Sequence, residues 1–407
     1  MNSQLAHILL DPDSPAPSPC FVIDMPKLRS NAEVLAGVQE RTGARILLAL
    51  KGYAAWATFD ALSAQKNGPL HGVCASSVDE ARLGREEFGG EVHAFAAAWS
   101  EAEMRELLPL VDHITFNSLA QWRKFRSIIA EYNASGPKPI LCGLRLNPEY
   151  SEGRVPIYDP CAPGSRLGIR HKNLASFTAD DFVGLTGAHF HTLCEQDADA
   201  LARTLREFER RFTPLWPDCS WLNWGGGHHI TRPGYDLDLL ETMLKDWVAR
   251  YGCQIYLEPG EAVALNAGWL TCTVLDIVEA DMPVAILDTS AACHMPDVME
   301  MPYRPNVWQN NKGEASKAGE PGEFLWSCRL AGKSCLAGDI IGEYSFKRQL
   351  EPGDRLAFAD MAIYSMVKTT TFNGLRLPSI GIYDNIKEPA FRIIRNFDYE
   401  DFRNRLS

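Results

Sequence analysis

An apolar run, Ile46-Leu-Leu-Ala-Leu50, ends in a lysine, Lys51. An ammonium emerging from so apolar a segment is held against a low-dielectric floor, which lowers the cost of the neutral amine. A neutral amine is the form that condenses with an aldehyde to a Schiff base. A lysine that only marks a strand's exit into solvent would look the same. In His189-Phe-His191 two imidazoles stand at i and i+2, on one face of a strand. There they could chelate a metal, bond to backbone inside the core, or lie flat on a planar ring. Trp224-Gly-Gly-Gly-His228 offers three glycines whose N–H groups can approach an anion such as phosphate, or a plain turn. Glu258-Pro-Gly-Glu261 supplies a carboxylate able to pair with a protonated ring nitrogen, although Pro-Gly is also an ordinary turn. Cys335, in Ser334-Cys-Leu-Ala-Gly-Asp339, is either a proton donor or one more buried thiol.

These residues need strands to position them. Eight short apolar runs recur at 44–50, 71–75, 92–96, 113–116, 140–146, 183–190, 220–224 and 254–257. Most are bounded by polar residues or glycine, as buried parallel strands are. Between them lie helical segments. Ser77 with Glu80 and Ser100 with Glu103 have capping-box spacing, and 195–212 and 237–251 carry apolar residues at helical period. Eight strands alternating with helices predict an α/β fold, a (β/α)8 TIM-like barrel, with the active site at the strands' C-terminal ends. A doubly wound sheet would normally carry an early GxGxxG loop, and none follows the first run. After residue 258 the texture changes: 269–278, 283–287, 324–330 and 355–358 read as strands and polar 309–323 as a loop. The expected organisation is a barrel over 21–265 and a mainly β domain from 1–20 and 266–407.

The bulk numbers exclude several classes. A chain of 407 residues exceeds one core's usual size. No apolar run approaches the roughly 20 residues of a membrane span, and residues 1–20 lack a signal-peptide pattern. Eleven cysteines without CxxC pairs read as reduced thiols in the cytoplasm. A net charge of −12 argues against nucleic acid and is compatible with a small cationic substrate.

In chain order, Lys51, Phe190-His191, Gly225-Gly226-Gly227, Glu258-Pro259-Gly260, Cys335, and Tyr364 with Phe372-Asn373-Gly374 together resemble the fold-type III pyridoxal-phosphate (PLP) decarboxylases, the alanine racemase-like group. The likeness runs over about 19–385. Within that group the chain is most similar to the carboxynorspermidine/carboxyspermidine decarboxylases, through Ala49-Leu-Lys-Gly-Tyr53, His189-Phe-His-Thr-Leu-Cys-Glu195, Glu258-Pro-Gly-Glu-Ala262, His294-Met-Pro-Asp297 and the Cys335 segment. Ornithine- and diaminopimelate-type relatives usually carry an arginine where Glu261 stands, and an acidic residue where Leu336 stands. Exchanging a cation for Glu261 suits a substrate with a long polyamine tail.

The resemblance implies PLP held by Lys51, His191 against one ring face, Glu258 on the ring nitrogen, and Gly226, Gly227 and Tyr364 on the phosphate, with Arg145 near the ring. It implies Cys335 from a second subunit as the proton donor, hence a homodimer with shared active sites, and no metal. Glu261, Asp297 and Asp339 are the expected contacts for the substrate's distal ammonium groups. The rivals are a decarboxylase of another basic amino acid (diaminopimelate, ornithine, arginine) and a metal-dependent hydrolase barrel built on His189 and His191. A non-catalytic PLP carrier would be a lone barrel, and a racemase would need a tyrosine opposite the lysine.

Overall fold

Eight short parallel strands close into a barrel in the computed structural model, which describes residues 1–153, 156, 159–213 and 219–407. They are Arg45–Ala49, Gly72–Ala75, Glu91–Phe95, His113–Phe116, Leu141–Asn147, Leu185–His189, Trp221–Asn223 and Gln254–Leu257, the first to the eighth strand. Each pairs in parallel with the next, and the eighth returns to the first through Tyr256↔Arg45 and Leu257↔Ile46. Every strand overlaps one of the eight apolar runs, because strands buried on both faces need continuous apolar sequence. Bulk and void are matched across the interior. A Cβ on Gly187 would lie 1.9 Å from the Trp221 ring and one on Gly143 2.5 Å from it, so these two glycines make room for the indole.

The outer helices begin where their caps allow. Ser100 and Glu103 form the full reciprocal box, with hydrogen bonds of 3.2 and 2.8 Å. At Ser77 only half of it forms, since the Glu80 carboxylate accepts the Ser76 N–H at 2.6 Å instead. Ala198–Phe212 starts later than its apolar period, because Glu195 has φ +54° and breaks the helix. Leu237–Tyr251 forms as expected and stops at Gly252, φ +66°.

The chain divides into two compact units, 29–263 and 1–28 with 264–407. The division is offset from 21–265 because Cys20–Asp24 pairs in the second unit's sheet, antiparallel to Gly268–Val278 and parallel to Ser379–Tyr383. That ten-stranded sheet is the expected mainly β domain. An N-terminal helix, Ser3–Leu10, buries Leu5, Ile8, Leu9 and Leu10 with Cys20, Val22 and Trp269.

The expected loop at 309–323 is corrected. Val307–Asn311 and Glu314–Lys317 form an antiparallel hairpin, turned by Lys312 and Gly313 at φ +53° and +90°. Polar sequence survives here because the hairpin ends the sheet and buries one face only, through Gln309 and Ser316. A two-residue loop with Gly at a left-handed position was the overlooked signal. Ile340–Phe346, Ser379–Tyr383 and Phe391–Arg395 are further strands not foreseen in the sequence. No helix among the described residues is long and apolar enough to cross a membrane.

Candidate active site

The polar residues cluster where the barrel strands end. The first strand stops at Ala49, and Leu50 and Lys51 lie in a turn. That turn lifts Lys51 clear, so the residue is exposed and the expected apolar floor does not enclose it. The Ala49 N–H donates to Pro259 O at 3.3 Å, and a Cβ on Gly52 would come within 3.1 Å of Gly260 Cα. These two contacts seat the lysine turn directly on the Glu258-Pro-Gly turn. Glu258 in turn donates its N–H to Gly225 O at 2.8 Å, joining the eighth strand's end to the glycine loop.

Glu258 is the best-defined group. Its Oε2 lies 3.2 Å from His189 Nε2, and its Oε1 accepts from Asn223 Nδ2 at 2.7 Å. Burial raises its pKa, but His189 and Asn223 outweigh burial and bring it down to about 2. The carboxylate is therefore ionised at neutral pH. Asn223 was missed in the sequence, although a polar residue closing an apolar run just before the glycines was a usable signal. Its Oδ1 also accepts the Gly225 N–H at 2.8 Å, so one amide fixes both carboxylate and loop.

His191 lies two residues beyond His189, where the sixth strand ends, and has different partners. The Gly226 N–H donates to His191 Nδ1 at 2.8 Å, so Nδ1 is an acceptor and the neutral ring carries its proton on Nε2. Burial, with the nearby charges of Lys51 and Arg145, pushes this imidazole well below its ordinary pKa. Neither His189 nor His191 falls in any cluster of potential metal ligands among the described residues, which removes the geometric basis of the hydrolase alternative. The Gly226 N–H is engaged by His191, and Gly227 follows it at φ +83°.

Arg145 is 6% exposed, 4.5 Å from the Phe95 ring centre, and donates to His191 O at 3.3 Å. Burial pushes it down to about 10. It supports the backbone carrying the imidazole. Glu261 Oε2 lies 3.1 Å from His229 Nε2, with Glu195 nearby.

The remaining expected residues lie in the second unit. The Cys335 N–H donates to Asn373 Oδ1 at 2.8 Å, which brings the cysteine turn and the Phe372-Asn373-Gly374 segment together and leaves Cys335 exposed. Asp339 was expected to meet substrate. The structure buries it to 2% exposure, where it accepts from Ser290 Oγ, Ser334 Oγ, and the N–H groups of Ala291, Ala292 and Ser334. With its acceptor sites filled, it organises the cysteine turn instead. Asp297 and Glu300 both pair with Lys368, whose N–H donates to Tyr364 O at 3.0 Å. Tyr364 is half-buried at φ +51°.

The residues fit a PLP-type cofactor on three counts: an ionised buried carboxylate, a neutral imidazole fixed by backbone, and a glycine cradle. Glycine is required at 226, where a Cβ would collide with Glu258 O at 2.3 Å and lie 3.4 Å from His191 Cε1.

Comparison with known proteins agrees. Residues 20–362 match the family model described as pyridoxal-dependent decarboxylase, C-terminal sheet domain. The chain is 42% identical to a carboxyaminopropylagmatine decarboxylase of Synechocystis sp., over 100% of both chains. It is 41% identical to a carboxynorspermidine/carboxyspermidine decarboxylase of Campylobacter jejuni, over 95% of this chain and 98% of that one. The crystal structure of carboxynorspermidine decarboxylase complexed with norspermidine, also from Campylobacter jejuni, superposes with TM-score 0.83 at 39% identity, covering 95% of this chain and 99% of that one. The carboxylate, imidazole and glycine loop gathered at the barrel's strand ends thus sit in a chain that belongs to the pyridoxal-dependent decarboxylase family.

Proposed function

We propose that this enzyme holds PLP through Lys51 and decarboxylates carboxynorspermidine and/or carboxyspermidine. The observation that carries the reading is Glu258: an ionised carboxylate, gripped by His189 and Asn223, beside the turn that bears Lys51. PLP, when bound, supplies a conjugated ring that takes up the electron pair left by departing CO₂. Glu258 is placed to keep a ring nitrogen protonated. His191, neutral and oriented by Gly226, offers an uncharged face. Gly227 and Tyr364 are the proposed phosphate contacts, and Arg145 holds the His191 backbone in place. Cys335 of the partner subunit protonates the α-carbon, which makes the active form a homodimer. All eleven cysteines are free thiols, which supports a cytoplasmic setting.

A second reading rests on the Synechocystis relative, named for carboxyaminopropylagmatine. Glu261 and Glu195 could attract a terminal guanidinium as well as an ammonium. Steady-state kinetics on both carboxypolyamines, carboxyaminopropylagmatine, diaminopimelate, ornithine and arginine separates these. Highest kcat/KM on either carboxypolyamine supports the proposal. Preference for any of the other four overturns the substrate assignment. Lys51→Ala should remove both turnover and the visible absorbance of bound cofactor; full turnover in that variant overturns the role of Lys51. An active monomer in sedimentation overturns the dimer.

A further inference from the structure

Two holds fix the turn that carries Cys335, and both lie within the second unit. On one side Asp339 accepts the Ser334 N–H at 3.2 Å and the Ser334 hydroxyl at 2.6 Å. On the other, Asn373 Oδ1 accepts the Cys335 N–H at 2.8 Å. Both holds lead back to the short helix Ala291–His294. Asp339 Oδ2 accepts from Ser290 Oγ at 2.8 Å, and Ser290 Oγ accepts the Cys293 N–H at 3.2 Å. Cys293 O in turn accepts the Thr370 N–H at 2.9 Å, just ahead of Asn373.

Asn373 stands at φ +59° and ψ 13°, in the left-handed region. Gly374 follows at φ +68°, with Phe402 beside it, 3.5 Å from where a Cβ would stand. Glycine at 373 would adopt this backbone with less strain than asparagine. What asparagine adds is an oxygen, and that oxygen receives the Cys335 N–H.

We infer that Asn373 is a positioning residue that aims the Cys335 thiol at the α-carbon. The inference rests on the reading of Cys335 as the proton donor. In that step the S–H bond breaks and the proton bonds to the carbon that lost CO₂. The S–H electron pair stays on sulfur as a thiolate, which water reprotonates. With Ser334 and the Cys335 N–H both held, rotation about Cα–Cβ is the thiol's main remaining freedom. Cys335 and Asn373 are exposed, so water could replace their bond in energy but not in direction. When the thiol misses, solvent protonates the cofactor's aldehyde-derived carbon instead. Addition of one water then releases an aldehyde and leaves the amino nitrogen on the cofactor.

The test compares Asn373→Gly, Asn373→Asp and Cys335→Ala with wild type, each as holoenzyme on its preferred substrate. Asn373→Gly keeps the left-handed backbone and removes the acceptor, whereas Asn373→Asp keeps both. In Asn373→Gly kcat should fall by up to about 100-fold with KM unchanged, and aldehyde should appear among the products. Hydrogen–deuterium exchange should show the Cys335 amide exchanging about fivefold faster, as loss of one ordinary hydrogen bond implies. Asn373→Asp should stay near wild type in all three readouts, and Cys335→Ala should lose kcat and release aldehyde. Wild-type kcat without aldehyde in Cys335→Ala overturns the proton-donor reading and the inference with it. Aldehyde from Cys335→Ala beside a wild-type Asn373→Gly overturns the positioning role alone. Asn373→Asp impaired as strongly as Asn373→Gly overturns it too.

Discussion

The backbone N–H of Gly226 points at His191 Nδ1, 2.8 Å away. That bond sets the tautomer and the orientation of an imidazole that burial keeps neutral. It also requires glycine, since any Cβ at 226 would lie 2.3 Å from Glu258 O. Gly226→Ala should therefore shift the glycine loop without unfolding the barrel. The cost of such overpacking, about 1–3 kcal/mol, corresponds to a loss of cofactor affinity of about 5–150-fold. Spectrophotometric titration with PLP, beside an unchanged far-UV circular dichroism spectrum, checks this.

Acid should weaken the fold in a defined window. Burial pushes His228 down to about 4 from its ordinary 6.5, against the raising effect of the Trp224 and Gly225 carbonyls. Below pH 6.5 the unfolded chain takes up a proton that the native state refuses until pH 4. Stability therefore falls as pH drops through that interval and this contribution levels off below it. The full loss is about 3 kcal/mol. Glu258, depressed to about 2, acts in the same direction but lower, from its ordinary 4.5 downward. Urea unfolding at a series of pH values should show a shallower slope between 6.5 and 4 in His228→Gln than in wild type.

Asp339 anchors its turn through five donors from two segments, 290–292 and Ser334. Removing the carboxylate strands those donors in a dry environment. Asp339→Ala should cost about 3 kcal/mol or more, read by thermal denaturation. The companion variant Ser334→Ala removes one hydroxyl donor and should cost about 1 kcal/mol. If Asp339 met substrate instead, Asp339→Ala would raise KM while leaving the melting temperature unchanged.

Glu261 offers the opposite pattern. Its side chain is 20% exposed beside His229, so its loss should spare the fold. If it receives the substrate's distal cation, Glu261→Gln forfeits a charge-assisted hydrogen bond. KM should then rise about 10–100-fold with kcat little changed. An unchanged KM would remove Glu261 from the substrate site.

Much of the architecture was legible because it is written locally. The eight apolar runs, the serine caps at 77 and 100 and the helix ending at Gly252 each depend on neighbours a few residues away. The polar hairpin of Val307–Asn311 and Glu314–Lys317 escaped notice because an edge position relaxes the apolar pattern on which strands are recognised.

Sequence alone determined which residues close the barrel strands, and so placed Lys51, His191, the glycines and Glu258 at one end, since strand order and parallel pairing leave them no other. Tertiary structure decided what each of them is chemically. His189 and Asn223 lie 69 and 35 positions from Glu258, yet they keep it ionised. Burial moved Asp339 from substrate contact to scaffold, and a turn carried Lys51 out of the apolar floor expected for it. The physical reason is that protonation and hydrogen bonding answer to whatever packs within a few ångströms, and only barrel closure brings those distant neighbours together.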